Sequence, residues 1–446
     1  MKKVLWVCNI MLPVIARELH LPYSNREGWL SGIFDQMTTG DTTWNAIGNT
    51  TLNASIPRGE LELSVCFPVN DRDLLQIFTV GRTTCYGFYE DLNTPEIYDK
   101  NLEKQFDAIF AHAKPDMIHI FGTEFPHALA AARAFGRPAR TLIGIQGLCY
   151  EIAKVYMAGL PDKVQEKVTF RDMLRKDSLK QQQEKFYLRG KNEIEAIRLA
   201  GHITGRTEFD RMGSERIHKE AVYHSMNETM RSSFYEGRWS LDGCEKHSIF
   251  LGQGDYPLKG FHFLLQAMPE IIEKYPDAVL YVSGNSVISH RTLKEKLKLP
   301  AYGKYLLKLI SRYGLEDKVI MTGKLTEEEM KERFLRSHVF VCASVLENSP
   351  NTVGEAMLLG VPTAASRTGG IPDMITDGED GILFEAGDSK AIAKAVCRIF
   401  DEKAWEDGKT LSERLSENAA KRAGRVHDGE TNYRRLLEIY GSILGE

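Results

Sequence analysis

Short apolar runs alternate with longer amphipathic stretches along the whole chain. In the first half the runs are Val4–Ile10, Leu61–Val69, Met117–Phe121, Thr141–Ile145 and His202–Gly205, while Ile97–Lys114 and His127–Phe135 carry apolar residues at helical spacing. In the second half Ser248–Leu251, Ala278–Ser283, Lys318–Met321, Val339–Ala343 and Pro362–Ala365 are separated by the helical patterns Phe261–Tyr275, Glu327–Ser337 and Asn351–Leu359. Strand and helix repeated this way predict parallel sheets covered by helices, with ligands outside the carboxyl ends of the strands. The opening MKKVLWVCNIMLPVI mimics a signal peptide, but Asn9 and Pro13 interrupt the apolar run, and Val4–Ile10 suits a buried first strand. Periodicity fades between about Asp210 and Lys246. The expected division is therefore a first doubly wound domain over 1–225, a linker over 226–245 and a second over 246–429, with a helix in 430–446 packing back across the junction.

Composition narrows the classes of function. With 446 residues, 43% of them hydrophobic, the chain can fill two cores. A net charge of −4 lacks the basic excess of a nucleic-acid-binding protein, so no nucleic-acid partner is expected. Seven cysteines with no C-x-x-C pair fit a reduced compartment, and the expected location is cytoplasmic. Residues 163–191 depart from the balance, with nine Lys/Arg against four acids, a local +5. Solvated helix faces have this composition; so does a basic amphipathic surface in peripheral contact with anionic lipid.

The densest chemistry lies in VLENSPNTVGEAMLLGVPTAASRTGGIPDMI, from Val345 onward. It reads as strand, loop and helix, with Glu347 in the loop and Glu355 in the first helical turn. A helix start offers unpaired N–H groups and a positive dipole end, a seat for a diphosphate, and both carboxylates can accept hydrogen bonds from sugar hydroxyls. An ordinary helix carrying a dipole-favourable glutamate would look the same at either position alone.

In order, the pieces E-x7-E (ENSPNTVGE), AMLLGVP, TGGIPDMI, DG and GILF resemble the donor-binding half of the family 4 retaining glycosyltransferases of GT-B fold. LGQGDYPLKGFHFLLQA and VIMTGKLTEEEMKERFLRSHVFVCAS fit the same family's preceding loops, and PDMIHIFGTEFPHAL, RTLIGIQGL and HITGRTEFDR resemble its amino-terminal strand ends. The resemblance is strong over about 248–388 and weak before 110. It implies two Rossmann-like domains facing across a cleft. It also implies that Lys259 binds the donor diphosphate, Glu347 the sugar hydroxyls and Glu355 the ribose, that Thr322, Gly323 and Lys324 border the base, and that the amides of Ser349-Pro350-Asn351-Thr352 hold phosphate and sugar. Charge built on the leaving phosphate would be met by the lysine and the helix amides.

Three positions depart from the family pattern. Gly252-Gln253-Gly254 stands where many members carry an arginine, so either Gln253 bonds a phosphate oxygen or another cation such as Arg206 supplies the charge. Glu27-Gly28-Trp29 retains a single glycine, Gly28, for backbone approach to the diphosphate. Ile145-Gln146-Gly147 stands where a histidine often lies beneath the donor sugar; Gln146 can orient a hydroxyl but cannot take a proton. On the acceptor side Glu124 is the preferred carboxylate, with His119 and His127 nearby in sequence.

Asp71-Arg72-Asp73 has the D-x-D spacing of metal-dependent transferases but lies outside the donor half and reads as a solvated turn. No third glycine completes a dinucleotide fingerprint after Gly254, and no Walker A or zinc spacing occurs. Asn49, Asn53 and Asn227 begin glycosylation sequons that a cytoplasmic chain leaves unused. The expected function is metal- and cofactor-independent retaining transfer of a hexose or N-acetylhexosamine. The donor is a nucleoside-diphosphate sugar, UDP before GDP, and the acceptor a lipid-linked or growing glycan of capsule, exopolysaccharide or lipopolysaccharide assembly. Two alternatives stay open, a catalytically silent nucleotide-sugar-binding subunit and an epimerase of the same fold.

Overall fold

Lys2–Cys8 forms the first strand, β1, and its packing explains why the run is apolar throughout. Val4, Trp6 and Cys8 enter one core, while Leu5 and Val7 enter another on the opposite face of the sheet. The computed structural model describes residues 1–21, 28, 30–38, 61–73, 75–290 and 292–445. They group into two units, one of 1–151, 186–231 and 426–446 and the other of 152–185 and 232–425.

In the first unit β1 is joined by β2 (Leu61–Val69), β3 (Gln76–Val80), β4 (Thr83–Tyr89), β5 (Met117–Phe121), β6 (Thr141–Gly144), β7 (His202–Gly205) and β8 (Val222–Ser225). The sheet order is β3-β4-β2-β1-β5-β6-β7-β8, parallel throughout except for β3, which runs antiparallel to β4. Trp6 lies opposite Val65 on one side and His119 on the other. Helices Asn101–Ala113 and Pro126–Phe135 cover one face; Ser31–Thr38 and the final helix Gly429–Leu444 cover the other. The β3–β4 hairpin was not anticipated. It turns at Gly81, whose φ of 58° few other residues adopt at low cost.

The second unit contains β9 (Glu245–Leu251), β10 (Val279–Ser283), β11 (Val319–Gly323), β12 (Ser337–Cys342), β13 (Thr363–Ser366) and β14 (Ile382–Phe384), all parallel, in the order β11-β10-β9-β12-β13-β14. Strand order reverses between β9 and β12, the position where doubly wound sheets open a crevice for ligands. The chain passes from the first unit to the second at 231/232, within the stretch 226–245 read as a linker. Glu208–Ile217 is helical and β8 pairs with β7, both inside the stretch where the pattern fades, and 152–185, expected with 1–225, groups with the second unit.

Two buried polar contacts tie distant parts of the first unit together. The Tyr440 hydroxyl, on the last helix, accepts from Trp6 Nε1 at 2.8 Å and lies 2.8 Å from His119 Nδ1, linking that helix to β1 and β5. Glu193, fully buried on the helix Leu179–Arg198, accepts from Thr123 Oγ1 and from the backbone N–H groups of Cys149 and Tyr150 at 2.8, 2.9 and 3.1 Å. Those two amides open the helix Cys149–Val155 and have no intrahelical acceptor, so Glu193 caps it from a distance. Burial outweighs the three donors and pushes the Glu193 carboxyl up to about 8.

Tyr440→Phe should lower stability by about 1–3 kcal/mol, because Trp6 and His119 lose a buried partner; a urea midpoint equal to wild type would show that the hydroxyl contributes nothing. The Glu193 carboxyl, raised from 4.5 to about 8 on folding, holds its proton more tightly in the folded state. Its stabilising effect is complete below pH 4.5 and is lost as pH rises through about 8. The stability of wild type relative to Glu193→Gln should therefore fall across that window, and a pH-independent difference between the two would refute the assignment.

Candidate functional site

The second unit brings Lys259 and Glu347 together at its switch point. Lys259 follows β9, at the end of the turn Pro257–Lys259, and Glu347 follows β12. Their side chains meet with Nζ 2.5 Å from Oε1, and Ser344 Oγ donates to the same oxygen at 2.6 Å. Glu347 Oε2 has no hydrogen-bond partner among the described residues. Burial alone would pull the lysine pKa down; Glu347 beside it wins and holds the ammonium well above its ordinary value. The Tyr256 ring lies 5.8 Å from Nζ. Burial, followed by the Glu347 charge, pushes the neighbouring Cys342 thiol up to about 12, which keeps it protonated and without nucleophilic character.

Backbone contacts hold the pair in register. Val345 N–H donates to the Leu258 carbonyl at 2.8 Å, stitching the two loops directly, and Gly370 N–H donates to the Glu347 carbonyl at 3.0 Å. Two glycines make these approaches possible. Gly260, at φ 71°, lies so close to the Ala343 carbonyl that a Cβ would stand 1.8 Å from its oxygen, and Gly369, at φ 53°, stands in the same relation to the Glu347 carbonyl. The glycines of Lys259-Gly260 and Thr368-Gly369 are thus spacing requirements of the loops that carry one ion pair.

The helix Asn351–Leu359 begins beside this loop. Its N-cap is Pro350, which makes no side-chain cap, so the start of the helix faces its surroundings with its own amides. Pro350 itself has no N–H and adds none to them; Ser349, Asn351 and Thr352 carry them. Ser349 is buried, and its hydroxyl has no partner among the described residues. Glu355 is buried and is the fifth helical residue, one turn deeper than expected. Gln253 is half-buried, with its stem beside Gly284. Thr322 Oγ1 turns inward to the Val282 carbonyl at 3.3 Å, Gly323 takes φ 78°, and Lys324 is exposed.

The remaining expected residues lie in the first unit. Arg206 and Gln146 converge on Glu228, each donating to one carboxylate oxygen at 2.9 Å. The guanidinium charge is thereby already balanced. Glu228 sits in the Asn227-Glu-Thr sequon, where only the asparagine drew attention. These three residues line a cavity of about 30 Å³ that also takes in His119, Thr204 and Thr229. His119 Nε2 and both threonine hydroxyls are buried there without a partner among the described residues. Burial, with His224 next, pushes the His119 imidazole down to about 3, so it is neutral in this cavity.

His127 is a buried packing residue. Its ring Nδ1 lies 2.6 Å from Glu90 Oε2, and its backbone N–H donates to the other oxygen of Glu90 at 2.9 Å, which caps the helix Pro126–Phe135. Glu124 is half-buried and wedged between Gly122 and Gly147; burial raises its carboxyl, and Oε2 has no partner among the described residues. Gly28 is buried, and its neighbours Glu27 and Trp29 lie outside the described residues, as do Asn49 and Asn53. Asp71-Arg72-Asp73 forms an exposed turn in which Asp73 N–H bonds Asp71 and Arg72 covers Tyr89. No helix among the described residues is long and apolar enough to cross a membrane.

Residues 237–422 match the family model described as glycosyl transferases group 1. The putative glycosyltransferase YtcC of Bacillus subtilis is 27% identical over 205 residues, 45% of this chain and 47% of that protein. The phosphatidyl-myo-inositol mannosyltransferase of Mycobacterium leprae is 31% identical over 200 residues, 44% and 47% of the two chains. The chain spans about half the length of the curated relatives it matches. Among solved structures, Anabaena Alr3699/HepE in complex with UDP and glucose superposes with a TM-score of 0.63 at 14% identity, covering 99% of this chain and 100% of that one. Two doubly wound parallel units, matched over the full chain in this way, give this protein the GT-B fold.

Proposed function

We propose that this chain is a retaining glycosyltransferase that moves a hexose or N-acetylhexosamine from a nucleoside-diphosphate sugar to a lipid-linked or growing glycan. The observation that carries the reading is the Lys259–Glu347 pair beside an uncapped helix start at the β9/β12 switch point. An ammonium has three donors, so Lys259 can hold Glu347 and a phosphate oxygen together, while Glu347 Oε2 accepts from a sugar hydroxyl. UDP is the favoured nucleotide because Alr3699/HepE was solved with UDP. A lipid-linked acceptor is favoured by the likeness to a phosphatidyl-myo-inositol mannosyltransferase, and sugars of capsule, exopolysaccharide or lipopolysaccharide type are its expected context.

In this reading the bond between the sugar's C1 and the β-phosphate oxygen breaks with its electron pair going to phosphate. The acceptor hydroxyl attacks C1 from the same face and gives its proton to that phosphate oxygen. Lys259 and the amides of Ser349, Asn351 and Thr352 meet the charge that develops, Glu355 takes the ribose, and Thr322 to Lys324 border the base. Gln253 serves as the neutral phosphate donor in place of an arginine, because the charge of Arg206 is already balanced by Glu228. Gln146 and Glu124 orient the acceptor.

Purified protein given labelled UDP-sugars and a membrane extract should release UDP and label a glycolipid. Micromolar nucleotide binding without turnover would make the chain a binding subunit instead. Lys259→Ala should cost about 1.5–3 kcal/mol in kcat/KM, and Glu347→Ala should abolish transfer; near-wild-type turnover in either places the donor site elsewhere. Gly369→Ala removes no chemical group but drives a methyl into the Glu347 carbonyl, so it should depress kcat strongly. Unchanged kinetics in that variant would show that the position of Glu347 is not critical.

A further inference from the structure

Four of the seventeen exposed large hydrophobic side chains among the described residues fall within seven residues of the second unit: Val168, Phe170, Met173 and Leu174, at 55–66% exposure. Phe170, Met173 and Leu174 occupy positions i, i+3 and i+4 of the short helix Phe170–Arg175 and so share one face. The opposite side anchors the segment. Asp172 is buried and accepts from Thr169 N–H and from Ala301 N–H, both at 3.0 Å, while Thr169 caps Asp172 in return. The helix stops at Lys176, which takes a left-handed φ of 51°. An apolar face is therefore held outward on a fixed mount, with no core to enter.

The charges around it that have no ion-pair partner among the described residues are basic. Lys167, Arg175 and Lys176 are exposed and make no ion pair among the described residues. Arg171, in contrast, is tied to Asp172 and Asp177 at 3.1 and 2.7 Å, and Lys180 lies 3.5 Å from Glu166. Part of the basic excess read along 163–191 therefore stands at the rim of the apolar tip. A second copy of the chain seated on this patch by a two-fold axis would bring like charges together. A surface of fixed negative charge with an apolar interior satisfies both features.

We infer that Val168, Phe170, Met173 and Leu174 insert into the headgroup boundary of an anionic lipid bilayer, with Lys167, Arg175 and Lys176 on the lipid charges. Docking of this kind is independent of the donor-site reading, because it is measured without any nucleotide sugar. The full chain should sediment with vesicles containing phosphatidylglycerol and stay in solution with phosphatidylcholine alone, and added salt should weaken the binding. Phe170→Ser/Met173→Ser/Leu174→Ser, which spares the Thr169 and Asp172 cap, should bind about tenfold or more weakly. Lys167→Glu/Arg175→Glu/Lys176→Glu should erase the preference for anionic vesicles. Wild-type protein that ignores both vesicle types would overturn the inference without a variant. So would a serine variant that binds like wild type, or self-association that the serine variant abolishes in the absence of vesicle binding.

Discussion

The second unit is organised around a single contact between opposite charges. Lys259 and Glu347 are 88 residues apart, at the ends of neighbouring strands, and their heavy atoms stand 2.5 Å from each other. Such a contact is useful only if it is held, because an ion pair near water gives little energy and is readily exchanged for hydration. Here the holding is done by the backbone: one carbonyl–amide bond between the loops, and two glycines where any side chain would collide with a carbonyl. The strand order supplies the rest. With β9 and β12 adjacent and their helices leaving on opposite sides, the two loops can approach without a helix between them.

The two residues of this contact were singled out by short motifs that resemble a known family, while the ion pair between them was not expected. A lysine before a glycine, a glutamate eight residues ahead of another, and a Gly-Gly after a strand of small residues carried that resemblance, and the close approaches at Gly260 and Gly369 give two of them a spacing reason. The strands were legible from the residues themselves: burial on both faces leaves little polar alternation, and β2, β5 and β7 carry the limits that their apolar runs suggest. What could not be read were pairings chosen in three dimensions. Glu228 meets Gln146 across 82 residues, Glu193 meets Thr123 across 70, and Glu90 meets His127 across 37. Each is a glutamate in an unremarkable polar context, and nothing in that context says whether the side chain ends in water or in a core. The assignment of 152–185 to the second unit belongs to the same class, because helical periodicity states that a face is buried and not against what.

The first unit shows what those hidden carboxylates do. Glu193 and Glu90 each take over backbone amides at a helix start, and each leaves its loop with a fixed exit direction. Glu228 balances Arg206 and orients Gln146 in one step. Burying a carboxylate is costly even when it is hydrogen-bonded: Glu193 accepts from three donors, and burial still raises its carboxyl to about 8. Glu124 is raised by burial as Glu193 is, and differs in that one of its oxygens is left without a partner among the described residues.

The departure at Gln253 bears on how the proposed donor site would balance charge. A nucleoside diphosphate brings about two negative charges at its phosphates, and the second unit offers Lys259 with part of its field already directed at Glu347. The deficit falls on the helix start at Asn351, whose dipole is equivalent to about half a positive charge and whose amides need no counter-ion. In that proposal the lack of a side-chain cap matters, because a cap would occupy donors that phosphates would need. Replacing an arginine by a neutral amide moves the site from charge neutralisation toward oriented dipoles. Dipoles lose strength quickly with distance, so a site built on them depends more heavily on the close spacing that Gly260 and Gly369 enforce.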